Sequence, residues 1–292
     1  MEASSYRLNL EGGGHLAFTE YGDASGVPVL FCHGWPSSRT MAELMHEAAT
    51  DLHMRIISPD RPGIYQSSYQ PGRKLADWPG VVRQLMDHLR ISAFRIMGIS
   101  GGAPYAYVTA AALPERVQAV AVVSGAPPIV ELEKHARLLP LYRRMLWLHR
   151  NIPSVLRIIF HVARPIATVA PAFRFRHLLL QLLPPLDAAA LRDSAAFDAC
   201  FESARRGWRG PAEGMISDAE IYATPWGFRL EDVSRPVRLW HGMQDRSFSF
   251  STAEQVAARF PNCKLHLIEN AGHYSLPIRH IRRILGDLRE VQ

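Results

Sequence analysis

Short runs of Val, Ile, Leu and Phe alternate along this chain with longer stretches whose apolar residues recur every three to four positions. That alternation restricts the fold to layers, with helices packed on a mostly parallel sheet. The spacing predicts strands over residues 6–10, 15–21, 29–32, 55–58, 94–98, 117–124, 237–240 and 264–268. It predicts helices over residues 40–50, 76–89, 103–113, 251–260 and 278–291. Glu11-Gly12-Gly13-Gly14 joins the first two strands, where a hairpin turn needs positive φ. A strand rather than a helix follows, which argues against a phosphate-binding loop.

The alternation stops for over a hundred residues between Ser124 and Val237. This stretch is rich in Leu, Arg, Ala and Pro, and Pro140, Pro153, Pro165, Pro171, Pro184 and Pro185 punctuate its helical runs. It reads as a set of short helices inserted into the sheet domain. At 292 residues, 48% apolar and 21% charged, the chain suits one globular core carrying an insertion better than two independent domains. The net charge of +6 is concentrated, because residues 133–183 hold nine Lys/Arg and one acid. No interleaving of aromatic and basic residues accompanies it, so no nucleic-acid partner is expected. Cys32, Cys200 and Cys263 are odd in number and lack CxxC spacing, which suits a reducing compartment. With no signal-peptide pattern and no 18-residue uncharged apolar segment, a cytoplasmic location without a membrane span is expected.

Gly98-Ile99-Ser100-Gly101-Gly102 directly follows a predicted strand and precedes an Ala-rich helical pattern. GxSxG alone is not specific, and a small-residue turn with Ser100 as a helix cap is the plain structural alternative. Context adds weight: a serine on a sharp strand-to-helix turn needs small neighbours, and the helix N-terminus offers N–H groups where an oxyanion would develop. His241-Gly242-Met243-Gln244-Asp245 follows the penultimate strand, and Gly272-His273 follows the last. The chain order Ser, Asp, His makes Ser100 the expected nucleophile, His273 the general base and Asp245 the acid that holds its tautomer. Asp218 and Asp232 are rival acids. In Phe31-Cys32-His33-Gly34-Trp35-Pro36, the N–H of Trp35 would join that of Gly101 in a two-donor oxyanion hole, with His33 as a loop brace.

Together, His33-Gly34-Trp35-Pro36, Asp60-Arg61-Pro62-Gly63, Gly98 to Gly102, His241 to Asp245 and Gly272-His273 resemble the capped α/β-hydrolase superfamily in its serine-nucleophile branch. The resemblance implies an α/β fold with a mostly parallel eight-stranded sheet flanked by helices. It implies a core of residues 1–125 and 216–292, with residues 126–215 as a helical cap after the sixth strand. Asp60 to Gly63 would be a structural loop near the site. Relatives that are epoxide hydrolases or haloalkane dehalogenases carry aspartate where this chain has Ser100, so those activities are not expected. Tyr65 replaces the glycine usual after the Asp-Arg-Pro-Gly-x loop and is expected to narrow the pocket mouth.

The leading expectation is a serine esterase cleaving a small-molecule carboxylic ester or related acyl compound through an acyl-enzyme, with no metal or organic cofactor. Carbon–carbon bond hydrolysis or acyl transfer by the same triad is a second class. A ligand-binding or tailoring protein without turnover is a third. Arg143, Arg150, Arg157 and Arg164 recur every seven residues across Pro153. They form a solvated cap face, guide an anionic substrate, or attract an anionic membrane. No oligomeric state is implied.

Overall fold

The computed structural model describes residues 5–132, 139–169 and 173–291. One sheet contains β1 (Ser5–Asn9), β2 (His15–Gly22), β3 (Val27–Cys32), β4 (Met54–Pro59), β5 (Phe94–Ile99), β6 (Val117–Val123), β7 (Val237–Gly242) and β8 (Cys263–Ile268). Their order is β1-β2-β4-β3-β5-β6-β7-β8. β2 runs antiparallel to β1 and β4, and every other neighbouring pair is parallel. This is the eight-stranded, mostly parallel sheet expected from the alternation. The first hairpin turns where the glycines stand, with Gly13 at φ 90° and Gly14 at φ 76°.

Helices α1 (His46–Asp51), α2 (Trp78–His88) and α3 (Ala103–Ala112) connect the early strands. Between β6 and β7 come α4 (Ile129–Leu132), α5 (Pro140–Asn151), α6 (Pro153–Thr168), α7 (Phe173–Leu182), α8 (Pro185–Ala190), α9 (Ser194–Phe197), α10 (Ser203–Gly207) and α11 (Ala212–Tyr222). The last two are α12 (Phe250–Ala257) and α13 (Ser275–Glu290).

Both faces of the sheet are covered, so its central strands are apolar on both sides. Leu30, Ile96, Val120 and Val122 face a core layer shared with α2, α3 and α12. Val29, Phe31, Met97 and Val123 point the other way, into a layer shared with α1 and α13. The period of two along β3, β5 and β6 thus supplies two cores from the same strands. It also leaves the strand C-terminal ends as the open rim where the following loops gather.

The inserted helices divide their apolar residues. Leu156 and Phe160 of α6 pack with Ile64, Met215 and Ile216, whereas Val155, Ile158, Ile159, Val162 and Ile166 are exposed. The apolar residues of α6 are therefore buried only along one edge. The arginine series is divided as well: Arg157 pairs with Glu220 of α11 at 2.9 Å, and Arg164 Nε donates to Gly210 O at 2.8 Å. Lys134, Arg137 and Pro171 lie outside the described residues. The expected boundary between residues 215 and 216 falls inside α11. No helix among the described residues is long and apolar enough to cross a membrane.

Phe94 opens β5 and is fully buried in the first layer. Phe94→Ala is expected to lower the unfolding free energy by about 3–5 kcal/mol, measured by urea denaturation. A loss under about 1 kcal/mol would mean that this layer collapses freely around the void.

Candidate active site

Ser100 lies one residue past β5, at φ +51°, a left-handed conformation that side-chain-bearing residues adopt at a cost of about 1–3 kcal/mol. Two bonds hold it there: Ala126 N donates to Ser100 O at 2.9 Å, and the Ala103 amide donates to the same oxygen. The turn is so tight that a Cβ on Gly102 would sit 1.9 Å from the Cys32 carbonyl oxygen at the end of β3. Gly102 is thus required by contact between two adjacent strand ends, and a Cβ on Gly98 would in turn press on the Gly102 carbonyl at 3.0 Å. Those ends, of β3 and β5, also flank the position where the strand order reverses, the place where open α/β sheets form a crevice.

The loops after β7 and β8 bring two more side chains to Ser100. His273 Nδ1 lies 2.8 Å from Asp245 Oδ2, and Nε2 lies 3.0 Å from Ser100 Oγ. A carboxylate only accepts, so Nδ1 carries the proton and Nε2 is free to accept from the Ser100 hydroxyl. The other oxygen of Asp245 accepts from the Ser247 and Phe248 amides at 2.7 and 3.1 Å. Burial would raise the Asp245 pKa, but His273 and these donors outweigh it and hold the carboxyl below its ordinary range. Burial would likewise lower the His273 pKa. The charge and hydrogen bond of Asp245, with Asp187 adding, hold it above the ordinary imidazole value instead. His241 donates from Nε2 to Phe248 O at 2.9 Å and is kept neutral mainly by burial.

Asp218 and Asp232 are occupied elsewhere. Asp232 accepts from the Arg229 amide, and Asp218 is fully buried between Arg61 and Arg73 and accepts from Tyr105 OH at 2.7 Å. Arg61 then reaches the β3 loop, donating to His33 O at 2.6 Å and Gly34 O at 2.9 Å. His33 is buried, with Nδ1 donating to Gly34 O at 2.9 Å. These bonds fix the carbonyls immediately before Trp35. Its own amide has no acceptor among the described residues, and a Cβ on Gly101 would come within 3.0 Å of it. Asp60 is buried against Arg39, so the 60–63 segment serves as a charged staple under the loop.

Ser100, Trp35 and Tyr142 stand between two cavities. The first is largely apolar and lined by Met145, Leu146, Leu156, Phe160, Ile216 and Ala219 among others. The second is lined by His273, Ser37, Ser247, Cys200, Phe201 and Tyr274 among others. Tyr65 is in the wall of neither. It takes φ +46°, which explains why glycine is usual there, and its ring lies 4.8 Å from the Arg39 guanidinium. The expectation that it narrows the mouth is therefore replaced by a packing role.

Two residues here had no sequence signal. Tyr222 of α11 donates to Gly101 O at 2.8 Å, fixing the Gly101–Gly102 peptide. Asp187 of α8 accepts from the amides of His273, Tyr274 and Ser275. Each recognises backbone across a long chain separation, so no local motif marks it.

Asp218→Ala would leave Arg61 and Arg73 buried without a counter-charge. The expected loss is roughly 3–5 kcal/mol of stability by denaturant unfolding, because uncompensated buried charge is costly. Burial alone would raise the Asp218 pKa, but the two arginines hold it well below the ordinary value. The stability it contributes is present above about pH 4 and is lost as pH falls further. A variant as stable as the parent would show that solvent reaches these guanidinium groups.

Among known proteins, the chain is similar to the uncharacterized hydrolase YcgS of Bacillus subtilis (strain 168), 25% identical over 273 residues, or 89% of each chain. It is 31% identical over 121 residues to a non-heme chloroperoxidase of Streptomyces lividans, covering 40% of this chain and 44% of that one. The fold matches a thermophilic esterase from Thermogutta terrifontis with a TM-score of 0.70 and 21% identity, over 99% of this chain and 97% of the other. It also matches the enol-lactonase from Burkholderia xenovorans LB400 with a TM-score of 0.69 and 16% identity, over 97% and 99%. The family model described as alpha/beta hydrolase fold matches residues 27–278. This chain belongs to the alpha/beta hydrolase fold family.

Proposed function

We propose that this protein is a serine hydrolase that cleaves a small carboxylic ester or related acyl compound through an acyl-enzyme. The observation that carries the reading is the continuous chain from Asp245 through His273 to the Ser100 hydroxyl, with spacings of 2.8 and 3.0 Å. In this mechanism Ser100 Oγ attacks the acyl carbon as its proton passes to His273 Nε2, and Asp245 stabilises the imidazolium. The carbonyl oxygen becomes an oxyanion held by the amides of Trp35 and Gly101. His273 returns the proton to the leaving oxygen, and water then attacks the acyl-enzyme by the same route, releasing the acid and restoring Ser100.

The leaving group must depart on the side where His273 can protonate it. His273 lines the second cavity and not the first, so the acyl group occupies the first. Its apolar wall favours an apolar acyl chain, and Arg157, the guanidinium in that wall, is already paired with Glu220. Residues 126–215 act in this reading as a cap that supplies much of that wall. Similarity to an esterase and an enol-lactonase supports cleavage of an acyl carbon–oxygen bond.

Ser100→Ala should keep the fold and lose about a thousandfold or more in kcat on any acyl ester the parent hydrolyses. A variant with a tenth of parental activity would remove Ser100 as nucleophile. Because the base must be neutral and its pKa is raised above the ordinary 6.5, kcat/KM should fall on the acid side with a midpoint above pH 6.5. A midpoint below pH 6 would contradict the role of Asp245.

Ala219→Trp places an indole in the first cavity. It should reduce kcat/KM for long-chain acyl esters about tenfold or more relative to acetyl esters. If instead long alcohol groups suffer while acyl length is tolerated, the two cavities have been assigned the wrong way round.

A further inference from the structure

The inserted helices put one carboxylate deep inside the sheet domain. Asp187 of α8 is almost fully buried and forms no ion pair among the described residues. Four donors converge on it instead. His273 N–H reaches Oδ2 at 3.2 Å, while Oδ1 accepts from Tyr274 N at 3.0 Å, Ser275 N at 2.8 Å and Ser275 Oγ at 2.9 Å. Gly272 makes room for it, since a Cβ there would lie 2.6 Å from Asp187 Oδ1. Tyr274, at the N-cap of α13, offers no side-chain cap of its own, so the first amide of that helix, Ser275 N, and the two amides before it depend on this distant carboxylate.

We propose that Asp187 is a positioning residue for the base: it clamps the turn from Gly272 to Ser275 so that the His273 ring stays aimed at Ser100. The proposal rests on the serine-hydrolase reading above. His273 hangs from the backbone that Asp187 holds, and its ring has one hydrogen bond to Asp245 and one to Ser100 to satisfy together. A turn free to shift by a fraction of an ångström would keep the first and lose the second. The clamp comes from the insertion, whose helix α8 packs against α13. The charge acts too. The groups facing His273 are Asp245 after β7, His241 at the end of β7, Tyr142 of α5, the adjacent Tyr274 and Asp187 itself. Both histidine and tyrosine neighbours are neutral, so Asp245 and Asp187 are the charges that favour its protonated form.

The test uses an active-serine phosphonate probe on the full chain, with the labelled peptide located by mass and the labelling rate followed against pH. The parent is expected to label at Ser100. Asp187→Asn, nearly isosteric but uncharged, should label about tenfold or more slowly at its optimum, because a small misalignment of a reacting group is costly. Its acid limb should also move to lower pH, because the neutral amide no longer favours protonated His273; the slower labelling at the optimum is the change that a mere helix cap would not produce. A folded Asp187→Asn with the parental rate and acid limb would overturn the proposal and leave Asp187 as a cap of α13 alone. If that variant does not fold, Gly272→Ala gives the same reading: it crowds the carboxylate but keeps its charge. Slower labelling with an unmoved acid limb is then expected, and parental labelling would overturn the proposal. A parent that does not label at Ser100 would instead overturn the serine-hydrolase reading, and this proposal with it.

Discussion

The close approach of β3 and β5 at their C-terminal ends is the constraint from which the site follows. At Gly102 the backbone comes so near the Cys32 carbonyl that no side chain fits, and at Ser100 it turns through the left-handed region. A turn this sharp projects one side chain out of the sheet rim while the helix behind it starts at once. It also presses the peptide after Ser100 against the loop that carries Trp35. The same geometric fact thereby exposes a hydroxyl and brings two loops' amides together beside it. The strain is sustained because both flanking strands lie in the most buried part of the sheet, where the alternatives would empty two core layers.

Around that turn, loops are held by buried charge more than by apolar packing. Arg61 and Asp218 fix the β3 loop, Arg39 and Asp60 sit beneath it, and Asp187 grips the loop after β8. Loops have few apolar residues to bury and many backbone groups to satisfy, so a carboxylate or guanidinium that bonds several carbonyls or amides is an efficient fastening. Such fastenings are directional. They specify a geometry that apolar contacts would leave loose, and they do so where the His273 ring and the Ser100 hydroxyl lie 3.0 Å apart. Two of the three, through Asp218 of α11 and Asp187 of α8, anchor on helices that follow β6 rather than on the sheet.

Most of the sheet was legible in the sequence because its signals are local. Strand periodicity, the glycines of the first hairpin and the small residues around Ser100 each report a backbone requirement within a few positions. Ser100, Asp245 and His273 could be named because each stands in the loop that follows a predicted strand, and the structure links them through His273 by hydrogen bonds. The fastenings were not legible, since Asp187 and Tyr222 bond backbone groups about a hundred positions away and belong to no motif. Tyr65 was misread for a related reason: a large side chain in a glycine position suggests a blocked mouth, but its neighbour Arg39 draws the ring elsewhere. In the insertion, heptad spacing of arginines suggested a common face. Pro153 divides the run into α5 and α6, the two arginines of α6, Arg157 and Arg164, both bond to the 209–220 stretch, and only the contacts decide which apolar edge of α6 is covered.

The central claim is that Ser100 becomes covalently acylated during turnover. Rapid acid quenching of the enzyme with a slowly hydrolysed acyl ester, followed by intact and peptide mass measurement, tests it directly. The account predicts a mass increase equal to the acyl group, confined to the peptide containing Ser100 and lost over time as acid is released. Steady hydrolysis of the ester with no acyl adduct at any quench time in the parent, and none in a His273→Ala variant that still turns over, would contradict it.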